Sequence, residues 1–420
     1  MKKYFAFASA LLFASMIGCQ EKEDPILEEP KFEETESEWI RLASWNESSR
    51  ISLITPVSGD IAQPDLSAFQ STSANYVSST GRYIVSIERA DGNVRFFDTG
   101  IENHDDHGHA YAPKWLSSNA AAPLPTHFSS TNGNIIIFND GDGTVTFVRE
   151  ANMEVPSFTP TVIANIGNGV HHGAASWLKG NKLAVTFKDE GTAGALPQRV
   201  KIINTTGQVL YEKEGVSVTG IHGDASNGDY VVFGGTEGVI LASSDNQISL
   251  IPNPSPLEST SGNWMGTIKA NDNVNKFYGY ARNHGVFEID PAAGTIKPTF
   301  LSNNIKTYLL SADGGHLIVQ TNDNVVKVFD TTSGNELASK TVTVAENVNA
   351  GARKGADELE HYRMMSEGNP VLTASENYLY VLEADKTKIH VRNLKTLNTV
   401  AVMDAPSGIS NIMRVGFQVK

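Results

Sequence analysis

One short strand-like run recurs along almost the whole chain, and this repeat limits the possible folds more than any other feature. Each copy is an apolar, β-branched or aromatic run, often ending in a polar residue and a turn: RISLIT (50–55), NVRFFD (93–98), TVTFVR (144–149), RVKIIN (199–204), GVILAS (238–243), GVFEID (285–290), VVKVFD (325–330) and KIHVRN (388–393). Seven of the eight follow a second such run about ten residues upstream. The copies are mostly about 40 to 55 residues apart, the length of a four-stranded propeller blade. The chain is therefore predicted to be all-β, a single β-propeller of four-stranded blades.

The two ends of the repeat region complement each other. The first copy lies in EWIRLASWNESSRISLITPVSGDIAQ, which supplies the middle and outer strands of a blade but has no innermost strand before them. The C-terminal segment GISNIMRVGFQVK supplies a spare apolar strand. Joining the two segments closes the ring and removes exposed sheet edges. Eight blades are predicted, with seven as the alternative, and an insertion at 346–367 could hold a short helix.

The N-terminal segment MKKYFAFASALLFASMIGC is predicted to be a lipoprotein signal. Two lysines precede an apolar run that is too short to span a membrane, and Gly18-Cys19 resembles a lipobox. The predicted organisation is a signal peptide at 1–18, an acidic tether at 19–37 that starts at lipidated Cys19, and a propeller at 38–420. Gln20, rather than Asp, follows the cysteine and favours the outer membrane. The protein is thus expected to be exported and lipid-anchored, facing the periplasm or the cell surface.

Charge and cysteine content exclude several functions. Loss of Lys2 and Lys3 with the signal changes the formal net charge from −14 to −16. Nucleic acid is a poor partner for such a chain, because its binding depends on Lys and Arg at phosphates, and membrane contact is expected through the lipid alone. Cys19 is the only cysteine. No disulfide, thiolate metal site or cysteine nucleophile is therefore expected.

Four histidines fall at the predicted starts of innermost strands in three consecutive blades: His127, His171, His172 and His222. Innermost strands line the central channel, so three successive blades direct imidazoles to one end of it. Imidazole nitrogens suit Zn²⁺ or copper. Glycines at 173 and 223 leave room for the rings, and Asp224 could be a fourth ligand or could orient an imidazole. The alternative is that each histidine only caps a polar blade end.

A second histidine group is HDDHGH, with His104, His107 and His109 around two aspartates. It lies between the third and fourth strands of a blade, which places it on the opposite face from the first group. As a flexible loop it could enclose one cation, and it could equally be a solvated turn. Another acidic segment, NDGDGT (139–144), has a calcium-like spacing but is interpreted as a hairpin turn. Three further histidines are interpreted as structural or exposed (His284, His316 and His390), and His361 in the insertion could reach the face of the first group.

Three motifs in order resemble the AztD family of periplasmic zinc metallochaperones: HDDHGH (104–109), GVHHGAASW (169–177) and GIHGDASNGDYVVFGGTEGVIL (220–241). The resemblance extends over about residues 75 to 335 and is limited to the blade pattern elsewhere. It implies a propeller that binds Zn²⁺ and hands it to the solute-binding protein of a zinc ABC transporter. The chain departs from the family in its predicted lipid anchor and its shorter histidine-rich segment.

The sequence therefore favours a zinc-binding metallochaperone or zinc reservoir that carries out no chemistry on a substrate. Ligand exchange is the expected mechanism, in which the flexible loop collects Zn²⁺ and the rigid channel site or a partner takes it over. Two other functions stay open. One is a metal-dependent propeller enzyme, either a lyase or a copper redox protein, and the other is an interaction propeller with structural histidines.

Overall fold

The computed structural model describes residues 31–45, 50–104, 106–155, 157–164, 166, 169–260, 262–342 and 369–419. The predicted signal peptide, Cys19, most of the predicted tether, the insertion at 346–367 and His361 lie outside these residues. No helix within the described ranges has the length and apolarity needed to cross a membrane.

Strands make up nearly all of the regular structure within the described residues. A single-turn helix, α1 (Phe32–Thr35), comes first, and 3₁₀ turns occur at Arg89–Asp91 and Glu150–Asn152. The strands are β1 Arg41–Trp45, β2 Ser52–Ile54, β3 Ile61–Ala62, β4 Ala74–Val77, β5 Tyr83–Glu88, β6 Asn93–Asp98, β7 Ile101–His104, β8 His107–Ala110, β9 Lys114–Ala121, β10 Pro125–Thr131, β11 Asn134–Asn139, β12 Thr144–Arg149, β13 Thr161–Ile163, β14 Ala175–Leu178, β15 Lys182–Phe187, β16 Arg199–Asn204, β17 Val209–Glu212, β18 Ile221–Ser226, β19 Tyr230–Gly235, β20 Gly238–Ser243, β21 Gln247–Pro252, β22 Thr267–Lys269, β23 Phe277–Ala281, β24 Gly285–Asp290, β25 Thr295–Leu301, β26 Ile305–Leu310, β27 His316–Thr321, β28 Val325–Asp330, β29 Glu336–Thr341, β30 Val371–Ala374, β31 Tyr378–Leu382, β32 Lys388–Asn393, β33 Thr399–Asp404 and β34 Asn411–Val415.

Eight antiparallel four-stranded sheets form the blades of a propeller, which confirms the predicted fold and blade number. From the innermost strand to the outermost, their orders are β34-β1-β2-β3, β4-β5-β6-β9, β10-β11-β12-β13, β14-β15-β16-β17, β18-β19-β20-β21, β22-β23-β24-β25, β26-β27-β28-β29 and β30-β31-β32-β33. Strands β7 and β8 form a separate hairpin. In every blade, the third strand contains or overlaps the recurring run from which the propeller was predicted.

The two chain ends close the ring, as predicted. The C-terminal strand β34 pairs antiparallel with β1, and it supplies the innermost strand of the first blade. Ile412 packs against the last blade around Tyr380, and Val415 packs against the second blade around Ile84 and Phe97. This strand therefore joins three blades.

Burial explains the sequence pattern of the strands. All six residues of β5, β11 and β27 are buried, because a second strand is covered by neighbouring blades on both of its faces. Such strands read as continuous apolar runs rather than as alternating ones. The outermost strand β29 is exposed at five of its six positions, and its sequence ELASKT is correspondingly polar.

The packed part of the chain begins before residue 38, where the propeller was predicted to start. Phe32 in α1 is buried, and its ring meets that of Tyr378 edge-on with centroids 4.8 Å apart. The buried carboxylate of Glu36 accepts hydrogen bonds from Ser375 (2.5 Å) and Tyr380 (2.6 Å). The end of the predicted tether is thus part of the last blade's surface, which the acidic composition of the segment concealed.

Candidate metal sites

Irregular backbone at the start of three innermost strands directs three imidazoles to the central channel. His127 and His222 lie near the starts of β10 and β18, where the pairing register shifts between Pro125 and His127 and between Ile221 and Asp224. Such bulges re-aim side chains. His172 lies three residues before β14, and its backbone N–H donates to the Ala195 carbonyl (3.0 Å).

We refer to His127, His172 and His222 as the hub triad. One potential ligand nitrogen from each ring lies within 4.8 Å of the other two, and the Nε2 atoms of His127 and His172 are 2.9 Å apart. Tetrahedral zinc with Zn–N bonds of about 2.0–2.1 Å places its nitrogen ligands about 3.3 Å apart. Small side-chain rotations are therefore enough to bring the three half-buried rings to one Zn²⁺ ion.

Two of the triad rings are oriented by acceptors at Nδ1. The Nδ1 atom of His172 lies 2.8 Å from Asp140 Oδ2, and that of His222 lies 2.7 Å from the Gly266 carbonyl oxygen. Donation from Nδ1 fixes the tautomer in which Nε2 is the ligating atom, the arrangement common around zinc-bound histidines. The triad therefore has the oriented imidazoles expected of a metal site.

Asp140 is the residue that sequence reasoning missed at this site. Burial alone would raise the pKa of Asp140, but the hydrogen bond from His172 and the nearby imidazoles lower it below its usual range. Arg89 also contacts the carboxylate (3.3 Å). Asp140 could have been found from the blade topology, because the turn between β11 and β12 lies on the same face as the starts of the innermost strands. Asp140 was instead interpreted as a turn residue only.

Two glycines keep the triad's surroundings open. Gly223 has φ +81°, and a Cβ atom there would lie 2.4 Å from the Gly266 carbonyl oxygen that orients His222. A Cβ atom at Gly173 would lie 2.4 Å from the Phe138 ring. Both positions require glycine, in agreement with the space predicted for them.

His171 and Asp224, which were predicted as ligands, do not join the triad. The His171 Nδ1 atom lies 2.8 Å from the Gly169 carbonyl oxygen, its ring packs on Phe138 and burial lowers its pKa. Asp224 Oδ2 accepts a hydrogen bond from Ser176 (2.6 Å). His171 and His172 lie in an irregular segment, where neighbouring side chains point in different directions. The bulge before Asp224 separates the side chain of Asp224 from that of His222.

The second predicted group forms a β-hairpin, β7–β8, instead of an irregular loop. Residue pairs His104–His107 and Glu102–His109 lie opposite each other across it. Because side chains alternate along a strand, these four residues share one face. The three imidazoles have ring centroids 4.8 to 5.6 Å apart, and their nitrogens also lie within 4.8 Å of one another. We call this group the hairpin triad.

Neighbouring residues hold the hairpin against the blades. Arg82, between β4 and β5, contacts Asp98 (3.1 Å) and Glu102 (2.8 Å), and Gly108 packs so closely on Trp39 that a Cβ atom would lie 2.4 Å from the indole. Burial would raise the pKa of Glu102, but a hydrogen bond with Glu154 and the Arg82 guanidinium lower it. Glu102 Oε1 is 3.8 Å from His104 Nε2. Glu102 is thus a second acidic neighbour that the sequence did not single out.

Asp106 of HDDHGH contacts one histidine of the hairpin triad. Asp106 Oδ1 lies 2.7 Å from His107 Nδ1, and this hydrogen bond is the main reason for the lowered pKa of Asp106. Its carboxylate orients an imidazole and is not in the ligand group. Asp105 lies outside the described residues.

The two triads lie on opposite faces of the propeller. Antiparallel strands place the starts of the innermost strands and the turns between second and third strands on one face, where Asp140 meets His172. The hairpin follows the third strand β6, and Glu102 meets Arg82 from the turn between the first and second strands. The faces are therefore those predicted.

Comparison with known proteins supports the fold. No family model matches the sequence. Apo AztD from Citrobacter koseri superposes with a TM-score of 0.72 at 20% identity, over 91% of this chain and 99% of that one. The chain shares the fold of AztD. A second structure of Citrobacter koseri AztD gives the same values, and the computationally designed protein Ika8 gives a TM-score of 0.53 at 15% identity, over 86% and 98%.

Proposed function

We propose that this protein is an exported zinc-binding metallochaperone or zinc reservoir. The hub triad captures Zn²⁺, and a partner with additional ligands removes it by ligand exchange. The solute-binding protein of a zinc ABC transporter is the proposed partner. The hairpin triad is a second, more exposed zinc site.

The observation that carries the proposal is the hub triad itself. Three imidazole nitrogens converge within 4.8 Å, and Asp140 and a backbone carbonyl orient two of them. Three protein ligands leave the fourth position of a tetrahedral ion open. An incoming ligand from a partner can bind at that position before the first imidazole leaves, so transfer needs no free aqueous ion.

The likeness to AztD supports zinc as the cargo. The propeller fold agrees with that expected from the family resemblance, which itself rests on the three histidine motifs. Imidazole also fits copper, so metal identity is part of the test. Purified full-length protein is expected to retain zinc by elemental analysis and, once stripped, to rebind Zn²⁺ in a calorimetric titration. If the protein holds no metal and gives no heat with Zn²⁺, the interaction propeller with structural histidines would be the remaining function. A clear preference for copper over zinc would favour the copper redox alternative.

Loss of the carboxylate behind His172 should weaken zinc binding. Asp140→Asn keeps the side-chain shape but removes the charge that supports the imidazole, so affinity for Zn²⁺ should fall about 10- to 100-fold. Asp142→Asn is the matched control, because it lies in the same turn and its carboxylate accepts from Thr144 instead. Equal affinities of the two variants in a competitive chelator titration would contradict the role of Asp140.

We also propose that the protein is anchored by a lipid at Cys19, and a substitution there tests this. Cys19→Ser removes the only thiol that can be lipidated, so the variant should keep its signal peptide or be recovered in the soluble fraction. Wild-type protein should partition with membranes after cell fractionation and label with a palmitate analogue. Wild-type protein found wholly in the soluble periplasmic fraction would exclude the lipoprotein assignment.

A further inference from the structure

A polar cavity of about 490 Å³ occupies the central channel beyond the hub triad. It is lined by residues at the far ends of the innermost strands, among them Ser130, Lys269, Asn271, Ser311, Thr373 and Arg414. The cavity therefore opens towards the face that carries the hairpin. Its volume is within the range of about 300–1,000 Å³ found for small-molecule sites.

Two cationic side chains line this cavity. Lys269 has no hydrogen-bond or ion-pair partner among the described residues, and its ammonium group lies 5.4 Å from the centre of the Tyr308 ring. Arg414 donates from Nη1 to the Gly416 carbonyl oxygen (2.9 Å), whereas its Nε–H is buried without a partner. Burial lowers the pKa of both side chains. For Arg414, the negative charges of Glu36 and Glu376 act in the opposite direction and raise the pKa, but burial has the larger effect. Both residues are half-buried, and neither forms an ion pair within the part of the chain that the structure describes. Withdrawing a cation from water without an ion-pair partner is costly, so a bound anion would stabilise this arrangement.

The rest of the lining decides which anion fits. Asp224 is the acidic residue in the lining, and its carboxylate is already engaged by Ser176. Several lining residues carry hydroxyl groups, which can donate to and accept from a hydroxylated ligand. We propose that the cavity binds a small hydroxycarboxylate, with its carboxylate at Arg414 and Lys269 and its hydroxyls at the serine and threonine side chains. Arg suits this position because its planar fork matches a carboxylate.

Calorimetry on zinc-stripped full-length protein tests the proposal, with D-gluconate as the probe. Wild-type protein should bind gluconate, and Lys269→Met and Arg414→Met should each weaken binding at least tenfold. Lys306→Met is the control, because Lys306 is another half-buried lysine but does not line the cavity, and this variant should bind gluconate as wild type does. Arg414→Lys keeps the charge and should fall between wild type and Arg414→Met.

Two further measurements test which ligand the cavity selects and whether its binding depends on the zinc site. Inorganic phosphate and neutral glucose should bind at least tenfold more weakly than gluconate; phosphate binding without gluconate binding would overturn the assigned class. His172→Ala/His222→Ala should bind gluconate normally, which separates this site from zinc binding. Should Arg414→Met fail to fold, Lys269→Met decides alone. Absence of gluconate binding at millimolar concentration, or unchanged affinity in Lys269→Met, would overturn the proposal.

Discussion

Deletion of residues 409–420 is expected to abolish the native fold of the whole propeller. The deletion removes β34, the innermost strand of the first blade, and exposes the edge of β1. It also removes the buried side chains of Ile409, Ile412, Val415 and Phe417. Burial of four such side chains contributes roughly 6–12 kcal/mol at about 1.5–3 kcal/mol each. This loss is comparable with the entire stability of a typical domain, about 5–15 kcal/mol.

Thermal unfolding followed by far-ultraviolet circular dichroism measures this effect. The truncated protein should show no cooperative transition, or one lowered by tens of degrees. Val400→Thr/Val402→Thr is the control, since both valines are exposed on the outermost strand β33, and its melting temperature should stay close to that of wild type. A truncated protein that melts like the wild type would show that β34 does not close the ring.

Replacement of His172 and His222 by alanine is expected to remove the tight zinc site. Two of the three hub ligands are lost, so the affinity of that site should fall by at least about 100-fold, more than the effect of an orienting residue. The hub triad should be the tighter site because its rings are half-buried and held by Asp140 and Gly266. In the hairpin triad the side chains of His104 and His107 are 52% and 56% exposed, and their ordering costs more entropy.

The reciprocal variant removes the hairpin triad by changing His104, His107 and His109 to alanine. It should keep the tight site and lose a weaker one in the same Zn²⁺ titration, and zinc acquisition should slow. His390→Gln is the control for histidine loss, because His390 pairs with Glu383 (2.7 Å) away from both triads. If the hairpin variant loses tight binding and the hub variant keeps it, the assignment of the two sites is reversed.

The fold was predictable because the recurring sequence run corresponds to the buried third strand of each blade. Runs such as NVRFFD and TVTFVR coincide with β6 and β12 residue for residue, since third strands are largely buried and end at sharp turns. Ring closure was predictable from an unmatched strand at each end. The residue at which the packed chain begins could not be predicted. Phe32 and Glu36 are held by contacts with the last blade, which is distant in sequence, and such contacts produce no periodic pattern in the local sequence.

The candidate sites were predictable in position but not in detail. The position of each histidine within its blade repeat placed His127, His172 and His222 at one end of the channel. It could not choose between His171 and His172, because the segment before β14 has no regular alternation to fix side-chain direction. Asp140 was missed because it meets His172 through a tertiary contact, 32 residues away in sequence. Glu102 was missed because the segment was interpreted as a loop, whereas in strand β7 the side chains of residues two apart, such as Glu102 and His104, lie on one face.

The separation of the two triads onto opposite faces affects the kinetics of any exchange between them. A seven-residue strand such as β10 spans about 20 Å, whereas zinc–nitrogen bonds are about 2 Å long, so no single coordination sphere can include ligands from both faces. Direct ligand exchange from hairpin to hub would therefore take place between two molecules rather than within one, and with the proposed anchor at Cys19 its rate would increase with the square of their surface density. Anchored molecules crowded in a membrane patch would exchange zinc quickly by this route, and isolated ones would exchange it only through the free ion.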